Sequence, residues 1–140
     1  MSDAPPSGPD LAALLARLFP RLMTLEEPIL ADAGVTMWEY AILSELVSDT
    51  ALSQVELSRR TGRDTTRLGK HLTALESRGL LSRDRAPDGR QRTVGLTDAG
   101  RAAQSGAKRA IRAAEDSLLS ESLSPAESAE LRRLLTELGR

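Results

Sequence analysis

Residues 53–79 read SQVELSRRTGRDTTRLGKHLTALESRG. Ser53 followed three residues later by Glu56 is a capping-box pair, opening a helix that contains Leu57 and stops at Thr61-Gly62. Asp64 is a good N-cap for a second helix, in which Leu68, Leu72 and Leu75 recur at helical spacing as a buried stripe and Gly79 marks the end. Two short helices joined by a tight glycine-containing turn are the pattern of a helix-turn-helix.

Downstream the period changes. Leu80 to Arg85 and Thr93 to Leu96 have the character of short strands, and the Pro87-Asp88-Gly89 stretch between them marks a hairpin turn. A helix-turn-helix followed by a hairpin is a winged helix. Thr97-Asp98-Ala99-Gly100 then opens a long Ala-rich helix reaching about Ser120. Ser124-Pro125-Ala126-Glu127 is a further capping box, with Pro at the first helical position, ahead of Leu131, Leu134, Leu135 and Leu138.

Upstream, Leu11, Leu14, Leu15, Leu18, Leu22, Leu25 and Ile29 form one apolar helical stripe that ends at Gly34. Pro20 and Pro28 sit inside it and are expected to kink or interrupt the helix. Thr36 with Glu39 makes another capping box, followed by Tyr40, Leu43, Leu46 and Val47 at helical spacing. The expected fold is mainly α with a small β-hairpin wing. A winged helix-turn-helix over residues 35–101 is flanked by an N-terminal helix over 11–34 and C-terminal helices over 102–140.

Composition narrows the function. The 140 residues contain no Cys and one His, which excludes disulfides, thiolate or His-rich metal sites and cysteine nucleophiles. Phe19, Trp38 and Tyr40 are the only aromatic residues, so the core must be built from Leu and Ala, which favours helices packed on helices. No apolar run approaches the roughly 18–20 residues of a membrane span. Residues 1–10 are acidic and polar, without the basic and apolar regions of a signal peptide, and are expected to be a disordered tail on a cytoplasmic protein. No His–carboxylate pair and no Gly-rich phosphate loop is available, so no enzyme activity, cofactor or metal is expected.

The net charge of −1 conceals a segregation. Residues 53–101 carry eleven basic and six acidic side chains, a balance of +5; the rest of the chain carries eight against fourteen, a balance of −6. The basic half coincides with the helix-turn-helix and hairpin, as expected of a footprint on DNA.

Six segments in order resemble the MarR family of bacterial transcription regulators. They are Gly34-Val35-Thr36 with Tyr40 and Leu43; Leu52-Ser53 leading to Leu57-Ser58-Arg59-Arg60-Thr61-Gly62; Leu75 to Arg83; Asp88-Gly89-Arg90; Leu96-Thr97-Asp98-Ala99-Gly100; and Leu123 to Glu127. The resemblance covers about Leu11 to Leu138. It implies a homodimer with intertwined terminal helices, two winged helices in successive major grooves of a near-palindromic operator, and repression relieved by a small aromatic or anionic effector. A DNA-binding regulator without a ligand, and a winged helix serving as a protein-interaction module, are the alternatives. Gly69 in the recognition helix, where the family more often has Thr, and Pro20 depart from the pattern.

Among candidate site residues, Thr65, Thr66, Arg67 and Lys70 lie near the N-terminus of the recognition helix, the end that meets base edges. Arg67 can read guanine through two hydrogen bonds, Thr65 and Thr66 suit phosphates or a thymine methyl, and Lys70 suits a phosphate; one or two of the four are expected to be merely solvated. Arg90 at the hairpin tip can enter a narrow minor groove, oriented by Asp88, with Arg92 on a phosphate. Arg83 and Arg85 share one strand face, and one of them is expected to pair with Asp84 or Asp98. By the resemblance, Met37, Trp38 and Tyr40 are candidates for an effector pocket, with at least one of them in the core. His71, beside the apolar stripe, reads as a surface or half-buried side chain.

Overall fold

A computed structural model describes residues 4–48, 51–85 and 92–140, with Arg85 and Arg92 described by backbone alone. The elements in order are α1 (Leu11–Asp32), α2 (Met37–Ser48), β1 (Leu52–Ser53), α3 (Gln54–Thr61), α4 (Thr65–Ser77), β2 (Leu81–Arg85), β3 (Arg92–Leu96), α5 (Asp98–Ser120) and α6 (Pro125–Leu138).

Several helix starts follow the capping code. Thr36 and Glu39 exchange both bonds: the Glu39 amide donates to Thr36 Oγ1 at 3.2 Å and the Thr36 amide to Glu39 Oε1 at 2.8 Å. Ser124 and Glu127 do the same at α6. Ser53 accepts from the Glu56 amide at 3.1 Å, but the Glu56 carboxylate turns to Arg59 and Arg60 instead of back to Ser53. Hydrogen bonds from those two guanidinium groups hold the Glu56 carboxyl down to about 2.

Of the expected kink or interruption at Pro20 and Pro28, the interruption does not occur: helix α1 runs unbroken through both. Both prolines are exposed, and so are Ala16 and Thr24 one turn earlier, so water reaches the carbonyls that lose their donors. A second departure is β1. Leu52 pairs with Val94 and Ser53 with Thr93, making the wing a three-stranded antiparallel sheet in the order β1-β3-β2. Two residues are too short for a period-2 signal in sequence.

The core lies under the helix-turn-helix. Leu57 of α3, Leu68, Leu72 and Leu75 of α4, Ile42 and Leu43 of α2 and Val94 of β3 are wholly buried. Leu30 of α1 and Ala107 and Ile111 of α5 extend that core towards the terminal helices. By contrast Leu11, Leu14, Leu15 and Phe19 on α1 and Leu134, Leu135 and Leu138 on α6 are exposed. Among the described residues no helix is long and apolar enough to cross a membrane.

Candidate nucleic-acid interface and effector cleft

The turn between α3 and α4 depends on Gly62, whose φ of 70° is a left-handed conformation that side chains disfavour. Its amide donates to Ser58 O at 3.0 Å, and the Ser58 hydroxyl donates to Arg63 O, closing the turn from both sides. Asp64 then caps α4 by accepting from the Arg67 amide at 2.9 Å, and that bond holds its carboxyl below the usual range.

Burial of Leu68, Leu72 and Leu75 sends Thr65, Thr66, Arg67, Lys70, Thr73 and Ser77 outward. Arg67 Nε lies 3.5 Å from Asp64 Oδ2, both side chains well exposed. Such a pair adds little to stability, so its guanidinium can exchange the carboxylate for a base edge at small cost. Thr66, Lys70, Thr73 and Ser77 line an open groove along α4, closed on one side by Arg83 of β2.

Arg83 pairs with neither Asp84 nor Asp98. It donates to Glu76 Oε1 at 2.9 Å and to Thr73 Oγ1 at 3.2 Å, tying β2 to the outer edge of α4. Strand alternation points it away from its neighbour Asp84 and towards the helix that packs on the sheet. Arg78, at the C-cap of α4, donates to Glu39 and to Gly34 O, so this exposed cation is tied to α2 and the turn before it.

A second feature is a cleft of about 380 Å³ between α1 and the start of α2, lined by Met23, Glu27, Leu30, Ala31, Val35, Thr36 and Met37. Its walls are mostly apolar, with one carboxylate. At the same level of α1 but outside the cleft lining, Glu26 shares a hydrogen bond with Glu115 of α5; burial first, then that bond and the like charge, push Glu26 up to about 7. Glu115 also faces Arg132 of α6 at 3.3 Å. Tyr40, half-buried near these groups, is raised, chiefly by burial.

Residues 33–91 match the model of the MarR family. The uncharacterized HTH-type transcriptional regulator YdgJ of Bacillus subtilis (strain 168) is 33% identical over 109 residues, covering 77% of this chain and 63% of that relative's length. Among solved structures, the transcriptional repressor CouR, bound to a 23-mer DNA duplex, superposes with a TM-score of 0.81 at 27% identity, covering 94% of this chain and 93% of that one. PcaV of Streptomyces coelicolor, a transcriptional regulator in complex with its natural ligand, superposes with a TM-score of 0.73 at 27% identity, covering 96% and 97%. The chain belongs to the MarR family of transcriptional regulators.

In this MarR-family chain Thr65, Thr66, Arg67 and Lys70 are all exposed on the first turns of α4, with Thr66 and Lys70 brought together on the open groove. Asp88 and Arg90 lie outside the described residues, and Arg92 opens β3 opposite Arg85. Met37, Trp38 and Tyr40 do not share one wall. Met37 lines the α1–α2 cleft, Trp38 lies beneath Arg63 of the α3–α4 turn, and Tyr40 packs against the core. His71 is half-buried on α4. The sequence pointed to an ion pair for one of Arg83 and Arg85, and for Arg83 the carboxylate is Glu76 rather than Asp84 or Asp98; the partners Trp38 of Arg63 and Glu39 of Arg78 were not legible there.

Proposed function

We propose that this MarR-family chain is a sequence-specific double-stranded DNA-binding repressor that works as a homodimer on a near-palindromic operator and is released by a small effector. The observation that carries the reading is the exposed face of α4. Thr65, Thr66, Arg67 and Lys70 project from a helix whose other side is locked into the core, beside the antiparallel pair β2–β3. In this reading Arg67 reads a base in the major groove, Thr65, Thr66 and Lys70 hold phosphates or a thymine methyl, and Asp88, Arg90 and Arg92 form the minor-groove wing. CouR on its duplex and PcaV with its ligand support the same two activities here. The protein acts by binding, without catalysis, on DNA in the cytoplasm.

Residues 11–34 and 102–140 supply the dimer interface. The exposed leucines of α1 and α6 and Phe19 form an apolar surface of a kind that normally marks an interface. Two-fold symmetry then places half-sites about one DNA turn apart. The α1–α2 cleft is the effector site within one subunit. Its apolar walls suit an aromatic ring, and Glu27 favours a neutral or hydrogen-bonding substituent over an anionic one.

The test is selection of duplexes from a random library, followed by fluorescence anisotropy on selected and scrambled DNA over a range of salt. Expected are an inverted-repeat consensus, two subunits per site and a steep salt dependence. Equal affinity for both duplexes, or no binding at low salt, would overturn the reading.

A further inference from the structure

Arg63 is the last residue of the turn that leads into the recognition helix. Its guanidinium carbon lies 3.8 Å from the centroid of the Trp38 ring. Its Nε is buried and has no hydrogen-bond partner. A buried donor left unmade is unfavourable, and here the compensating contact is the face of the indole. Trp38 belongs to the first turn of α2, and the next residue, Glu39, takes Arg78 from the opposite end of α4. Two adjacent residues of α2 therefore grip the recognition helix at both ends. Thr36 and Met37, just before them, line the α1–α2 cleft.

We propose that Arg63, through its stack on Trp38, is a positioning residue for DNA reading, setting the N-terminal end of α4 that carries Thr65, Thr66 and Arg67. The proposal rests on the DNA-binding reading above. Arg63 acts through its plane and its partner ring, not through contact with the duplex. The Asp64 cap follows directly in the chain, so freeing Arg63 loosens the first turn of α4 where base edges are met. The opposite end stays held by Arg78, so α4 remains folded and tilts rather than melts.

The test uses the full chain, a duplex selected by the wild-type protein from a random library, and a scrambled duplex of the same composition. Arg63→Ala, Arg63→Lys, Trp38→Leu and Trp38→Phe are compared, with the Arg63→Ala/Trp38→Leu double variant. Arg63→Ala, Arg63→Lys and Trp38→Leu should each weaken selected-site binding by roughly 3- to 30-fold, the range of a partly desolvated cation–π contact. Scrambled-site affinity and salt slope should stay as in wild type. The double variant should be no worse than either single one, and Trp38→Phe, which keeps a ring, should retain most of the affinity. Trp38 is the sole tryptophan, so Arg63→Ala should also change its emission.

A direct phosphate contact predicts the opposite pattern: Arg63→Lys near wild type, Trp38→Leu harmless, and a salt slope lower by about one unit per subunit on both duplexes. That result overturns the proposal, as does a drop in urea midpoint with both DNA affinities unchanged. If the wild-type protein selects no duplex, the DNA reading fails and takes the proposal with it. That failure is distinguishable, because the Trp38 emission change would persist.

Discussion

Gly100 in the first turn of α5 lies against the backbone of Leu80: a methyl group in place of its hydrogen would sit 1.8 Å from the Leu80 carbonyl oxygen and 2.8 Å from its carbon. The approach is built by Thr97, whose amide donates to Leu80 O at 3.3 Å and whose hydroxyl donates to Gly79 O at 2.6 Å. Thr97 Oγ1 also caps α5 by accepting from the Gly100 amide at 3.0 Å. The exit of the recognition helix and the start of α5 are thus one knot. Thr97 and Gly100 of the Leu96-Thr97-Asp98-Ala99-Gly100 stretch therefore act as one unit at this point of the chain.

Gly100→Ala is therefore expected to destabilise the protein by about 3 kcal/mol or more, because the obstacle is backbone and cannot swing aside. Urea unfolding checks it. A variant within about 0.5 kcal/mol of wild type, the ordinary range for a harmless surface change, would show that this corner yields.

The Glu39–Arg78 pair gives a second expectation. Glu39 is 5% exposed and serves two partners, the Thr36 amide and the Arg78 guanidinium. Glu39→Ala should cost about 2–3 kcal/mol in urea unfolding, since it orphans the Thr36 amide and leaves the half-exposed Arg78 only its bond to Gly34 O. Glu39→Gln keeps an acceptor for the amide and should cost less. Equal losses would mean that the charge, not the cap, carries the effect.

Stability should also depend on pH through Glu26. Its folded-state pKa of about 7 lies above the ordinary 4.5, so between those values the native protein holds more proton than the unfolded chain. Stability therefore falls as pH rises from about 5 to 8, the reverse of a salt-bridged carboxylate. The group is only partly buried, and solvent screening reduces the effect to about 1 kcal/mol. Glu26→Gln should flatten this slope and raise the unfolding midpoint at pH 8. An unchanged slope in the variant would assign the pH dependence elsewhere.

Recognition helix and wing should separate in binding assays. Arg67→Ala should lose roughly tenfold or more on the selected duplex, little on the scrambled one, and relax preference at one base pair. Arg90→Ala should weaken both duplexes and lower the salt slope by about one unit per wing if one phosphate contact is lost. Wild-type affinities for Arg90→Ala would return the hairpin to the protein-interaction reading.

Charge placed on the exposed helical surface should break the dimer. Leu15→Glu and Leu135→Glu replace side chains that are 45% and 44% exposed in the single chain. Sedimentation at micromolar concentration is expected to show a wild-type dimer and largely monomeric variants. A wild-type monomer would remove the need for a palindromic operator.

What was legible in the sequence was local. Capping boxes at Thr36 and Ser124, the Asp64 cap, the leucine period of α4 and the change of period at the wing each use residues within one turn or one strand. The physics that sets them is complete within that window. The two-residue strand β1 was invisible because it exists only by pairing with β3, which lies far along the chain.

Charge behaved differently. The sequence by itself determined that cations concentrate around the helix-turn-helix, and with the cap and leucine pattern this pointed to DNA. Only the tertiary structure decided which cations face outward. Arg67 and Lys70 stay on the open face, while Arg63 turns to Trp38, Arg78 to Glu39 and Arg83 to Glu76. A guanidinium reaches whichever ring or carboxylate packing brings near, and that neighbour is set by the assembly of α2, α4 and β2 rather than by position in the chain. The same reason hid the clash-limited Gly100 and the Glu26–Glu115 contact: each is a relation between elements, and it comes into being only when those elements are packed.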